Sequence, residues 1–167
     1  MKMAAGRIRV ITSQTITRPA DTTAYAANDL VANSVTAGSV TPFLFTGVVA
    51  QQGYRTKIRR AGANLSGTAV TNGNFRLHLF TAAPTVAAGD NAALAVATNV
   101  DKYIGYVDIV LAVAGALGNN GWSVAAWGAF PAFLSTTSAS LWGLLQATGA
   151  YTPASAETIT LKLEVES

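Results

Sequence analysis

A chain of 167 residues, half of them apolar and 11% charged, fits one domain, can bury a core without staples and is too apolar for intrinsic disorder. It contains no cysteine, which excludes disulfides, thiol catalysis and thiolate metal sites. The net charge is only +3, but residues 1–60 carry eight basic side chains against Asp21 and Asp29 (+6), and the remainder is −3.

From the N-terminus, "MKMAAGRIRVITSQ" holds a lysine but no apolar stretch ahead of Arg7 and Arg9, unlike a secretory signal. The longest apolar runs, near Ile109 and Val124, are about ten residues, half of what a bilayer span needs. A soluble protein made in a cytoplasm is expected. "RIRVITSQTIT" is β-branched and reads as an early strand. The next stretch, "TRPADTTAYAANDLVANS", has neither helical nor strand periodicity. Arg18-Pro19 starts it extended or turned, because proline disfavours the α region for the residue before it. Tyr25 and Leu30-Val31 offer apolar anchors, so the segment is predicted to be an ordered connector docked on the sheet or on a neighbouring subunit.

"TPFLFTGVV" is a strand candidate after Gly38-Ser39. "YRTKIRRA" weakly alternates, placing Arg55, Lys57 and Arg59 on one face. "NFRLHLFTA" puts Phe75, Leu77 and Leu79 opposite Arg76 and His78. "AAGDNAALAVATNV" could supply a helical turn or two, or line a loop. "YIGYVDIVLA" and "SLWGLLQAT" read as more fully buried strands. In "ETITLKLEVES", Ile159, Leu161, Leu163 and Val165 alternate strictly with polar residues, the mark of a half-buried strand. Gly, Asn and Pro turns separate these pieces, and no internal repeat is visible. The prediction is an all-β chain, an antiparallel sandwich or barrel of seven to nine short strands with little or no helix.

Catalytic material is sparse. His78 is the only histidine, and no nucleophile or orienting carboxylate is spaced to serve it. Its expected place is exposed or lining an interface. One histidine with scattered acids offers no metal site, and eight carboxylates show no glycosidase-type pair. The loop glycines match neither phosphate-binding fingerprint. No enzyme activity, cofactor or metal is expected. The run "RTKIRR", Arg55 to Arg60, lacks the broad basic face and stacking aromatics of a nucleic-acid binder. It fits a solvated strand face or a contact with an acidic protein. Trp122, Trp127 and Trp142, with Phe130 and Phe133, fit core or subunit contact better than a sugar platform.

Taken together, "RPADTTAYAANDLVANS", "FRLHLFTAAP", "DNAAL", "YIGYVDI" and "GAYTPASAETITLKLEVE" resemble a family of small tailed-bacteriophage head structural proteins that includes capsid cement (decoration) proteins. The resemblance runs from about Thr17 to Val165. Outside "FRLHLFTAAP" and "DNAAL", the Ala-rich segments near Ala82–Val100 and Ala112–Leu134 carry no matching feature. It implies a jelly-roll-like β-sandwich, often dimeric, that binds the outside of a lattice built from a major capsid protein and has no enzymatic activity. The location implied is the outer capsid surface of a virion, with neither membrane nor nucleic acid as partner.

The expected organisation is one sandwich domain over 1–167, with residues 1–20 as a partly extended arm. The charge asymmetry and the irregular segment nominate Arg7, Arg9, Arg18, Tyr25, Leu30, Arg55, Lys57, Arg59 and Arg60 for contact with capsid or neighbour. The rival readings are a receptor- or glycan-binding tail-fibre or spike component and a glycan hydrolase using Asp101, Asp108 or Glu157.

Overall fold

The structure, a computed structural model, describes residues 7–49, 55–67, 73–111, 120–124, 134–135 and 139–166. Eleven strands form among them: β1 (Ile8–Thr12), β2 (Ile16–Thr17), β3 (Leu30–Val31), β4 (Phe43–Phe45), β5 (Arg55–Leu65), β6 (Asn74–Phe80), β7 (Tyr103–Val110), β8 (Asn120–Val124), β9 (Leu134–Ser135), β10 (Leu141–Ala147) and β11 (Thr158–Glu166). One 3-10 turn, Val100–Lys102, is the only helical piece among the described residues.

Two antiparallel sheets result. The first has the order β1-β11-β5-β8, with β2 also against β11 and β9 also against β5. The second has the order β3-β10-β6-β7, with β4 also against β10. Taking β1/β2, β3/β4 and β8/β9 as interrupted single strands leaves eight, in the orders 1-8-3-6 and 2-7-4-5. In that arrangement first pairs with last, second with seventh, third with sixth and fourth with fifth, which is a jelly roll. The expected sandwich is therefore present, and residues 8–17 pair with β11 along its edge in two hydrogen-bonded pieces.

The inner faces carry the alternating residues. Ile159, Leu161, Leu163 and Val165 of β11 are completely buried and meet Ala61, Ala63 and Leu65 of β5 and Phe75, Leu77 and Leu79 of β6 in one core. Each large aliphatic or aromatic side chain so buried contributes roughly 1.5–3 kcal/mol. The alternation in β5 changes parity partway along. Thr56 and Ile58 face in, then Ala61, Ala63 and Leu65. The cause is a β-bulge: Glu164 pairs with Arg60 and Val165 with Ile58, leaving Arg59 as the extra residue. Had regular alternation run on from Ile58 without the bulge, Arg60 would point into the core.

The sequence reading changes at one strand, and the Ala-rich stretch, open between helix and loop, is a loop. The strand from Tyr103 is a half-exposed sheet edge instead of a buried strand, with Asp108 and Val110 turned outward. The Ala-rich stretch after Phe80 forms no helix. It doubles back on itself through a Val86–Val96 bridge and an Ala87 N–H to Ala95 carbonyl bond (2.8 Å). This loop lays Val86 and Ala88 over Leu30, Ala32, Phe80 and Leu144, covering one half of the outer face of the second sheet. Gly89 makes the fit possible, because a Cβ there would lie 1.9 Å from the Val35 carbonyl oxygen.

On the opposite edge, side chains stitch the two sheets together. The Arg9 guanidinium donates to the carbonyls of Gly47 and Val48 at 3.0 and 3.1 Å. Gln14 donates to Pro42 O at 2.9 Å and accepts from Leu44 N at 2.5 Å.

Replacing Gly89 with alanine should destabilise the protein by about 2 kcal/mol or more, in the range of overpacked sites. Chemical denaturation measures this, and an unchanged midpoint would contradict the close backbone approach.

Candidate functional site

The irregular segment after β2 folds into a buried polar clamp. Arg18 and Asp90 are 2% and 6% exposed and pair through Nη2 and Oδ2 at 2.9 Å. The Arg18 Nε also donates to the Tyr25 hydroxyl, which donates in turn to Asp90 Oδ1 at 2.6 Å. The Ala32 N–H donates to the same Oδ1 at 2.7 Å. Asp90 thus accepts a guanidinium, a phenol and a backbone amide, the full satisfaction that a buried carboxylate needs. Burial alone would lower the pKa of Arg18, but Tyr25 and Asp90 outweigh it and hold the pKa above its ordinary value. The Tyr25 hydroxyl is pushed far up, first by burial and then by its bond to Asp90.

A second buried pair lies against the first. Tyr25 and Tyr151 form an antiparallel bridge and stack with ring centroids 5.8 Å apart, while Phe75 meets Tyr151 edge-on at 5.0 Å. The Tyr151 hydroxyl donates to Glu157, whose other oxygen accepts the Gly67 N–H at 3.2 Å. Burial raises the Glu157 pKa against the lowering pull of these two donors and of Arg18. These groups are buried and engaged with one another, with Arg18 Nη1 left without a partner among the described residues. Their work is to fasten the connector to the loop carrying Asp90 and to the turn before β11.

The residues nominated for contact are therefore divided. Arg18, Tyr25 and Leu30 are internal, so their side chains offer no surface to a partner. Arg9 is taken up in the edge stitch. Arg7 is exposed just ahead of β1. On the outer face of the first sheet, Arg59 pairs with Glu166 at 2.8 Å and Arg60 with Glu164 at 2.8 Å. Lys57 sits opposite Glu166 in the same ladder, and Arg55 pairs with Ser135 through the backbone. The charge asymmetry along the chain is thus largely folded away, because the basic strand β5 lies beside the acidic strand β11. Trp122 lies in β8 opposite Gly62, whereas Trp127, Phe130 and Phe133 lie outside the described residues.

A third assembly, on the half of the outer face of the second sheet that the described residues leave uncovered, is visible in the sequence only as Arg76 and His78 pointing outward. Register places Gln146, Arg76 and Asp108 in one row and Leu144, His78 and Tyr106 in the next. Arg76 grips Asp108 with two bonds, 2.7 and 3.0 Å, and lies 3.9 Å over the Tyr106 ring. The Gln146 amide nitrogen donates to the Asn28 carbonyl, so its oxygen faces His78 Nε2 at 3.1 Å. Nε2 must then carry the proton, and Nδ1 accepts from the Tyr103 hydroxyl at 3.2 Å. Burial first, and Arg76 in addition, lower the His78 pKa against the opposite pulls of Gln146 and Asp108.

Asp101 pairs with Lys102 on the surface, Asp108 with Arg76, and Glu157 with Tyr151. The three acids of the hydrolase reading thus occupy three separate settings. Among the described residues, no group of three or more His, Cys, Asp or Glu could hold a metal ion, and no helix is long and apolar enough to cross a membrane. No family model and no curated protein sequence matches the chain.

Two outcomes are expected. Asp90→Asn removes the nearer counter-ion of the buried Arg18 charge and leaves only Asp21 at 3.7 Å, beside an Nη1 group that already lacks a partner among the described residues. It should cost about 3–5 kcal/mol in denaturant unfolding, and a loss under about 1 kcal/mol, the size of a surface pair, would contradict the clamp. His78 titrates below its ordinary 6.5 when folded, so the unfolded chain binds more protons and stability present above that pH is lost as pH falls through it. His78→Gln should therefore flatten the fall in melting temperature between pH 7 and 5 relative to the unmodified protein, whereas parallel profiles would exclude His78 as its source.

Proposed function

We propose that the chain is a tailed-bacteriophage capsid cement protein, which binds the outer surface of the major capsid lattice and stabilises the head. One observation carries the reading. The five stretches that resemble the family fall on β3, β6, the loop around Asp90, β7 and β11, drawn from both sheets of one jelly roll.

The surface chemistry supports the same role. With 11% charge, and with Arg9, Arg18, Arg59 and Arg60 already committed to intrachain partners, the protein suits attachment over broad, mildly polar areas. Copies repeated by capsid symmetry need only modest interface energy each. The edge strand β1 keeps Ile8 and Val10 half exposed, offering apolar contact and a sheet edge to a neighbour. A homodimer, with the partner copy or capsid along this edge, belongs to the same reading. The role requires no enzymatic chemistry.

The test is the particle. In virions of the phage that encodes this chain, cryo-electron microscopy should show it on the outside of the head. Charge reversal at Arg55, Lys57 and Arg59 should lower its occupancy and make binding less salt-sensitive. The variant's melting temperature is followed in parallel, since Arg59 also holds Glu166. Absence of the chain from purified heads, or its presence on the tail alone, would overturn the proposal.

A further inference from the structure

We propose that the uncovered half of the outer face of the second sheet is a binding platform for a neutral oligosaccharide, built from Arg76, His78, Tyr103, Tyr106, Asp108 and Gln146. The observation is a preassembled polar and aromatic surface whose side chains are held mainly by one another. The neighbouring half of the same face is apolar and is buried under the loop around Val86 and Ala88. None of the other described residues covers this half, yet its side chains are cross-linked to one another and do not trail into solvent.

Three features favour a sugar. The first is charge. Arg76 and Asp108 neutralise each other in a two-bond pair, and the His78 bonds to Gln146 and Tyr103 are compatible with a neutral imidazole. The face offers no net charge to a phosphate, an acidic peptide or a nucleic-acid backbone, whose affinity is dominated by such charge. The second is hydrogen-bonding pattern. An Arg–Asp pair sets spare guanidinium donors beside spare carboxylate lone pairs, matching adjacent hydroxyls that each donate and accept. The third is ring surface. His78 lies between two tyrosines, with centroids 5.8 Å from Tyr103 and 6.1 Å from Tyr106, and Tyr103 is 39% exposed. Rings supply apolar area and a polar edge together, as the alternating C–H and O–H surfaces of a sugar require.

Scale and rigidity agree. Strands β10, β6 and β7 lie side by side, so the platform is roughly 10 Å across and its two rows are about 7 Å apart. That is the footprint of one or two sugar rings. Each polar group is held by a neighbour, which reduces the ordering cost of binding. The platform lies on the sheet opposite the Arg59–Glu166 ladder, so it can be occupied while the first sheet faces a capsid.

The experiment is an array of immobilised neutral, sialylated and sulfated oligosaccharides probed with the isolated full chain, followed by titration with the best binder. Binding to neutral members is expected, with a loss of tenfold or more in affinity for Tyr103→Ala and for Arg76→Gln. Arg59→Ala, on the other sheet, should bind normally. Unfolding midpoints check that the variants are folded, and Tyr103→Phe, which keeps the ring, should retain more affinity than Tyr103→Ala. Binding to no neutral glycan, binding to acidic members alone, or binding indifferent to both Tyr103→Ala and Arg76→Gln would each overturn the proposal. Should these two variants instead lower occupancy on phage heads while no glycan binds, the face is a protein contact and the sugar assignment fails. Because the array uses isolated protein, its failure leaves the capsid reading untouched.

Discussion

The buried contact of Arg18 with Asp90, completed by Tyr25, is the constraint on which the rest of the molecule depends. A charged pair in a β-sandwich is costly to desolvate and repays that cost only when every lone pair and proton is met. Here the ion pair, the phenol and the Ala32 amide meet most of them. The consequence is geometric. Three stretches far apart in sequence, the connector after β2, the loop around Asp90 and the turn before β11, are held at one place by groups that tolerate little displacement. With the connector fixed, Leu30 and Val31 are delivered as β3 beside β10, and the loop around Asp90 is delivered over Phe80 and Leu144. The clamp thus decides which half of the second sheet is covered and which is left open.

Electrostatics inside the fold also shape what the surface can recognise. The basic strand β5 and the acidic strand β11 are neighbours, so most of their charge is spent across the ladder. The remaining surface is polar, weakly charged and rich in small side chains. Such a surface discriminates through shape, sheet edges and rings more than through long-range steering. The proposed attachment to a capsid and the proposed sugar platform make compatible demands on it, because the residues invoked for them lie on different sheets.

Much of the architecture is legible in the sequence, for reasons that differ by element. In β11 and β6 one face is apolar and the other polar, so strict alternation exposes them. The bulge in β5 is written as the three-residue step from Ile58 to Ala61, which reads as weak alternation until the pairing with β11 explains it. Tyr103–Val110 misleads because its apolar residues look continuous. Pairing on one edge only, with a register shift opposite Leu79 and Phe80 and Gly105 at φ 130°, leaves it half exposed. The Ala-rich loop had the composition of a helix, but Gly89, and Asn91 and Asn99 with positive φ, bend it back on itself.

The clamp was the least legible feature. Arg18 and Asp90 are 72 residues apart, an ion pair has no period, and each looks in isolation like an ordinary surface charge. The outer-face platform was half legible. Arg76 and His78 were read as outward, but Asp108 and Gln146 join them only through cross-strand register.

The measurement that bears most directly on this account is native-state hydrogen exchange on the connector. The amides of Tyr25, Leu30 and Ala32 donate to Tyr151 O, Ala92 O and Asp90 Oδ1. If the segment is clamped as described, these amides exchange only through the same global opening that releases β11 and β6. Exchange at the rate of an open surface loop, with the sheets still protected, would show that the sandwich stands without the clamp and would contradict the account.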